Sequence, residues 1–279
     1  MTFPACPLAM EKLLVCTDSS PASKGAVVTA LALARTCRSH IYLLQVLEYN
    51  LGYTGLAPEA VLQWEQEVAA DLAGIEAEAQ DLGVSVKSII RRADAAYAAI
   101  VDEAQKLGIH LIIMGRHGKH RLGYLLMGSV TERVIGLSPA NVLVVPQESP
   151  LPWERVLIAS DGSPYSEAAW EAALEMTRRL DARLIGVSAA REEGELPEAE
   201  AVVQKMLMRA NRQGIPMEIH VSVGAPDDVI VQIAHDKQAN LIIVGSHGRT
   251  GLKRLLMGSI AARVIGSSPC PVLVVKRRD

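Results

Sequence analysis

Two segments of the chain carry the residue types and spacing that bind phosphate. Gly115-x-x-Gly118 is followed by nine residues and Gly128-Ser129; Gly245-x-x-Gly248 is followed by nine residues and Gly258-Ser259. Glycine lets a backbone approach a ligand closely and adopt positive φ, and successive exposed N–H groups form an anion-binding nest. Each Gly-Ser pair is predicted to open a helix, whose unpaired N–H groups and positive dipole end favour an anion. The pattern is not the common P-loop: no G-x-x-x-x-G-K-[ST] occurs, and no G-x-G-x-x-G follows the first strand.

Other candidates cluster around these turns. Asp18 and Asp161, preceded by Thr17 and Ser160, end the first predicted strand of each half. An Asp there suits a turn into the next helix and can also help hold Mg²⁺ beside phosphates. His117 and His247 recur inside the two GxxG turns, placed for backbone or ring contact to phosphate. No Cys or second His lies at ligand spacing, so structural zinc is not expected. Ser129-x-x-Glu132 fits a capping box, a structural alternative to phosphate contact; Ser259 lacks the Glu yet keeps the Gly-Ser. Arg91-Arg92 reads as a solvated edge that can also face phosphates. The helix with Met206 and Met208 reads as core.

The elements that position these residues are duplicated. Residues 111–146 and 241–276 are identical at 22 of 36 aligned positions without a gap, at an offset of 130. Upstream, Leu13–Pro21 matches Val156–Pro164 at an offset of 143, so the first copy carries 13 extra residues, placed around Tyr49–Gln66. The 279 residues therefore divide into two domains, 8–147 and 152–279, joined by a polar, Pro-containing linker. In the first, strands are predicted at Lys12–Cys16, Ile41–Leu47, Val84–Ile90, His110–Met114 and Val142–Val145. Helices are predicted after Ser20-Pro21 and at Pro58–Leu82, Ala95–Leu107 and Ser129–Gly136, with Gly83 and Gly108 as caps. In the second, strands are predicted at Arg155–Ala159, Arg183–Val187, Met217–Val223, Leu241–Val244 and Val272–Val275. Its helices are Pro164–Leu180, Pro197–Arg212, Asp227–Lys237 and Ser259–Ile265. The alternation predicts an α/β protein of two tandem, doubly wound, five-stranded parallel-sheet domains. Ligands of such sheets sit outside the carboxyl ends of the strands.

Composition agrees: 49% of residues are hydrophobic and only 4% aromatic, as for a Val/Ile/Leu core of buried parallel strands. A net charge of −3 and a short basic tail give no nucleic-acid footprint. No apolar run approaches a membrane span, no basic segment precedes the apolar start, and Cys6, Cys16, Cys37 and Cys270 form no CxxC. The expectation is a cytoplasmic protein with no nucleic-acid or membrane partner.

These residues resemble the universal stress protein family, whose ATP-binding members carry G-x2-G-x9-G-[ST] after the fourth strand. SHGRTGLKRLLMGS and the closing CPVLVVK look like its C-terminal signature, and the resemblance covers both copies. It implies a Rossmann-like fold of the adenine nucleotide α-hydrolase-like type. It also implies an adenine nucleotide as ligand: ATP, or ADP or AMP, with Mg as an accompanying ion near Asp18 and Asp161. The resemblance places those aspartates near ribose and phosphates, and Val46 and Ala189 against adenine. Thr17, Gly115, His117, Gly118, Gly128, Ser129, Val130 and Thr131 complete the first expected site. Ser160, Gly245, His247, Gly248, Gly258, Ser259 and Ile260 complete the second. The implied assembly is an internal pseudo-dimer through the terminal strands, with a homodimer of chains as a further step. Departures are Asp94-Ala95-Ala96 where the second copy has the family's Gly224-Ala225-Pro226, Lys119-His120-Arg121 for basic-Thr-Gly, and Ala261 for the hydroxyl of Thr131. The first reads as an acidic residue near the first pocket. Neither a base for hydrolysis nor an arginine finger is evident, so the reading is a binding and regulatory module. A slow Mg-dependent ATPase and a nucleotide-free scaffold are the alternatives.

Overall fold

The computed structural model describes residues 10–48, 58–118, 127–149, 152–248 and 257–277. Lys119-His120-Arg121 and much of the extra first-copy segment lie outside them. The first half runs β1 (Lys12–Thr17), α1 (Pro21–Cys37), β2 (His40–Glu48), α2 (Pro58–Asp81), β3 (Ser85–Ala93), α3 (Ala96–Leu107), β4 (Leu111–Gly115), α4 (Ser129–Leu137) and β5 (Asn141–Val145). The second half runs β6 (Arg155–Ala159), α5 (Pro164–Leu180), β7 (Arg183–Ala190), α6 (Leu196–Arg212), β8 (Met217–Val223), α7 (Pro226–Asp236), β9 (Leu241–Gly245), α8 (Ser259–Ser267) and β10 (Val272–Val275), with a short 3₁₀ turn at Glu193–Glu195 before α6.

The strands form one ten-stranded sheet in the order β3-β2-β1-β4-β5-β10-β9-β6-β7-β8. Within each half neighbours are parallel, and β5 meets β10 antiparallel, with Leu143 opposite Leu273. Successive residues of a strand face opposite sides, and the sheet uses this to feed two cores. Leu13 and Val15 of β1 turn toward α1, α2, α5 and α6; Leu14 and Cys16 turn toward α3, α4, α7 and α8. β4 and β9 are apolar without alternation because both of their faces are covered. Met206 is buried in the first core, whereas Met208, grouped with it in the sequence reading, is 55% exposed.

Helix ends follow local chemistry. Pro21 and Pro164 stand in the first turns of α1 and α5, where a missing N–H costs nothing. Ser163 accepts a hydrogen bond from the Ser166 N–H, a true side-chain cap. Ser20, at the N-cap position of α1, makes no side-chain cap and instead donates to Asp18 at 2.6 Å. Gly83 and Gly108 adopt the left-handed conformation after α2 and α3. α2 has 24 residues and α6 has 17, so two turns of helix take up 7 of the 13 extra first-copy residues.

Candidate functional site

The carboxyl ends of β6, β7 and β9 and the starts of α6, α7 and α8 enclose a cavity of about 340 Å³ in the second half, within the range of small-molecule sites. One end is backbone and polar: Ser160, Asp161, Gly245, His247, Gly248, Gly258 and Ser259. The other is largely apolar, with Val187, Ala189, Ala199, Pro226 and Ile230, while Arg191, Glu195 and Glu198 stand at the start of the 3₁₀ turn and α6. The candidate residues of the second copy, including Ile260, thus converge on one space.

The glycines are there for room. A β-carbon on Gly245 would lie 2.8 Å from the Tyr165 carbonyl, and one on Gly115 would lie 2.9 Å from the Ala22 carbonyl. Gly248 and Gly118 lie against Oδ2 of Asp161 and Asp18, each 2.8 Å from the β-carbon position. Positive φ, expected for these turns, is not adopted by any of the six motif glycines; backbone crowding excludes a side chain at Gly115 and Gly245, whereas the neighbours of Gly128 and Gly258 stand 3.4 Å or more from a β-carbon position. Gly258 N–H donates to the Ser246 carbonyl at 3.0 Å, and Gly128 N–H to the Arg116 carbonyl at 2.9 Å. Each bond ties the start of α8 or α4 to its GxxG turn.

Gly128 and Gly258 are the N-caps, so Ser129 and Ser259 are the first helical residues. Neither helix has a side-chain cap, so the capping-box reading of Ser129 and Glu132 is not realised. Both serines are exposed. The opening amides of α8, on Ser259, Ile260 and Ala261, have no carbonyl partner one turn back; those of Ser129, Val130 and Thr131 open α4 in the same way. The Thr131 hydroxyl, expected at a ligand, is buried and donates to the Gly115 carbonyl at 3.1 Å. It braces the turn, and Ala261 does without that bond.

Asp161 Oδ1 accepts from Ser163 N–H at 3.0 Å, and Asp18 Oδ1 from Ser20 N–H at 3.1 Å. Each aspartate therefore shapes the turn into the next helix with one oxygen and meets the GxxG turn with the other. Ser160 Oγ donates to Ser166 Oγ and accepts from Gly162 N–H. Thr17 repeats this with Ser23 and Ser19, so both hydroxyls hold the turn. Residue 19 has φ 60 and its counterpart Gly162 φ 76, so the first copy holds a serine in a left-handed position. His247 packs on Tyr165 with ring centroids 4.9 Å apart, and its Nδ1 lies 3.1 Å from Ser246 Oγ. Val46 and Ala189 are half-buried near the ends of β2 and β7. Among the described residues no three His, Cys, Asp or Glu side chains group as metal ligands.

Arg91 and Arg92 are engaged in ion pairs with neighbouring helices. Arg91 pairs with Asp102 and Glu103 of α3, and Arg92 with Glu65 of α2. Asp94 is exposed; the carboxylate turned onto the start of α3 is that of Glu48, accepting from Ala96 N–H at 2.6 Å. In the second half Pro226 replaces Ala96 and needs no acceptor, and Arg191 replaces Glu48. A further paired change follows: Arg263 binds Asp227 at 2.7 Å, while its counterpart Arg133 lies over the Tyr97 ring at 4.9 Å. Sequence reading missed Glu48, which accepts from Ala96 N–H, and Arg191, which lines the cavity. Only Glu48 left a signal, the loss of proline at position 96.

The sequence profile described as the universal stress protein family matches residues 10–146 and again 152–276. A universal stress protein of Mycolicibacterium smegmatis is 28% identical over 234 residues, covering 78% of this chain and 76% of that protein. One from Synechocystis is 23% identical over 293 residues, covering 96% of this chain and all of that one. The crystal structure of a universal stress protein from Archaeoglobus fulgidus has the same fold, with a TM-score of 0.81 at 22% identity over 97% of this chain and all of that one. With both halves matched and the paired glycine turns in place, the chain belongs to the universal stress protein family.

Proposed function

We propose that the chain is a regulatory protein that binds an adenine nucleotide, with ATP, ADP or AMP as ligand, in each half. One observation carries this reading: the GxxG turn, the opening amides of α8 and the Asp161 turn meet at one end of a cavity whose other end is largely apolar. Backbone donors at a helix start suit phosphoryl oxygens, and the apolar wall around Ala189 suits a base. In the first half the same turn geometry, with Asp18 against Gly118 and Gly128 bonded to Arg116, supports a second site.

Magnesium fits as a companion of the phosphates. Asp18 and Asp161 each place Oδ2 on the side of the GxxG turn. One carboxylate oxygen with phosphate oxygens and water is a usual Mg²⁺ set; the ion would neutralise phosphate charge. The β5–β10 pairing supports reading domains 8–147 and 152–279 as an internal pseudo-dimer. No helix among the described residues is long and apolar enough to cross a membrane.

Calorimetry with ATP, ADP and AMP tests the reading, with mass spectrometry of any ligand released from the purified chain. Two sites are expected. Gly258→Glu and Gly128→Glu, each closing one helix start, should each remove one. A chain that binds none of the three nucleotides, or a stoichiometry neither substitution lowers, overturns it.

A further inference from the structure

Arg116 belongs to the first glycine turn, yet its side chain leaves that half. Its guanidinium donates to the Gly266 carbonyl at 3.1 Å and to the Ser268 carbonyl, at the carboxyl end of α8. Its backbone N–H donates to Val145 at 3.0 Å, and its carbonyl receives Gly128 N–H at 2.9 Å. One residue thus fastens the end of β5, the start of α4 and the end of α8. Burial pushes the guanidinium below its usual pKa, and Nε is buried with no hydrogen-bond partner. Placing the group there carries a desolvation cost that a solvated surface arginine avoids.

Among the described residues the second half offers no counterpart. Ser246 stands at the matching position, and its hydroxyl lies beside His247. The reverse bridge comes from elsewhere: Lys276, just after β10, donates to the Ile135 carbonyl of α4. Among the described residues, only the first glycine turn is therefore tied by its own side chain to the opposite half's helix.

α8 has nine residues, about 13 Å of helix. Its first turn lines the second cavity with Ser259, Ile260 and Ala261. Fixing the last carbonyls of so short a rod fixes where its opening amides point, and a cation there complements the negative end of the dipole. We propose that Arg116 is a positioning residue for the second site: the first half's glycine turn holds α8 so that its opening amides meet a phosphoryl group. The inference rests on reading that cavity as a nucleotide site. A ligand that shifts the first turn then changes affinity at the second site, and linkage makes the effect reciprocal.

The test isolates the second site with Val46→Glu, which closes the first site at β2, two strands from Arg116 in β4's loop. In that chain, Arg116→Ser should weaken ATP binding about fivefold, and Arg116→Lys, which keeps the charge, should recover part of the loss. In a Gly258→Glu chain, where only the first site binds, Arg116→Ser should change affinity less than twofold, since the second half carries serine there. Unchanged affinity at the second site, or equal loss at both sites as from general loosening, overturns the proposal. Failure of the Val46→Glu chain to bind ATP while Arg116 is intact would instead sink the nucleotide reading beneath it.

Discussion

Asp161 and Gly248 are fitted to each other: the aspartate Oδ2 lies 2.8 Å from where a β-carbon on the glycine would sit, and Asp18 and Gly118 repeat the distance. The second glycine of each turn makes room for a carboxylate. Gly248→Ala should therefore destabilise the chain by about 1–3 kcal/mol through overpacking. In an Asp161→Ala background the same change should cost much less. Urea denaturation of the four chains reads this; strictly additive costs would contradict the fit.

Glu48 and Ala96 form a second testable pair, 48 residues apart and joined by a 2.6 Å hydrogen bond. Glu48→Ala alone should cost about 1 kcal/mol by leaving a helix-start N–H without its charged acceptor. Ala96→Pro copies the second half and removes that N–H. In its background Glu48→Ala should be nearly neutral, as a double-mutant cycle in urea would reveal.

Ser19 carries a left-handed backbone, φ 60, and donates to Gln45 at 3.0 Å. The strain of about 1 kcal/mol and a hydrogen bond of about 1 kcal/mol oppose each other. Ser19→Gly loses both and should leave stability nearly unchanged, whereas Ser19→Ala keeps the strain and should be destabilised. Equal thermal midpoints for Ala and Gly at this position would count against the argument.

Lys276 sets a pH dependence. Burial lowers its pKa from the usual 10.5 to about 8, so above pH 8 the folded chain holds fewer protons here than the unfolded one. Stability from this group then rises with pH between about 8 and 10.5 and is flat below. The difference in unfolding free energy between wild type and Lys276→Met should shift in favour of wild type from pH 7.5 to pH 9.5. A constant difference would show that the ammonium is not desolvated by folding.

Much of this architecture was readable in the residues. β4 and β9 announce themselves as unbroken apolar runs ending in glycine, and the duplicated G-x2-G-x9-G-S turns point to the cavity end of the sheet. The positive φ expected of the motif glycines is not adopted, because spacing marks where glycine stands but not its backbone conformation. Ser129 was similarly ambiguous: the same letters describe an N-cap and a first helical residue, and only φ and ψ at Gly128 separate them. The pairs Glu48–Ala96 and Arg116–Gly266 span 48 and 150 residues. Such contacts leave no periodic mark, since they depend on how distant elements settle against each other.

The antiparallel join of β5 to β10 has a consequence for how the two halves can differ. Two identical subunits meeting across a twofold axis must present the same residues to each other, so any change at the boundary occurs twice. A single covalent chain escapes that rule. Arg116 faces one way across the boundary and Lys276 the other, while Ser246 and Pro146 occupy the mirror positions. Fusion thus permits a lopsided boundary, in which one half can sense and the other respond.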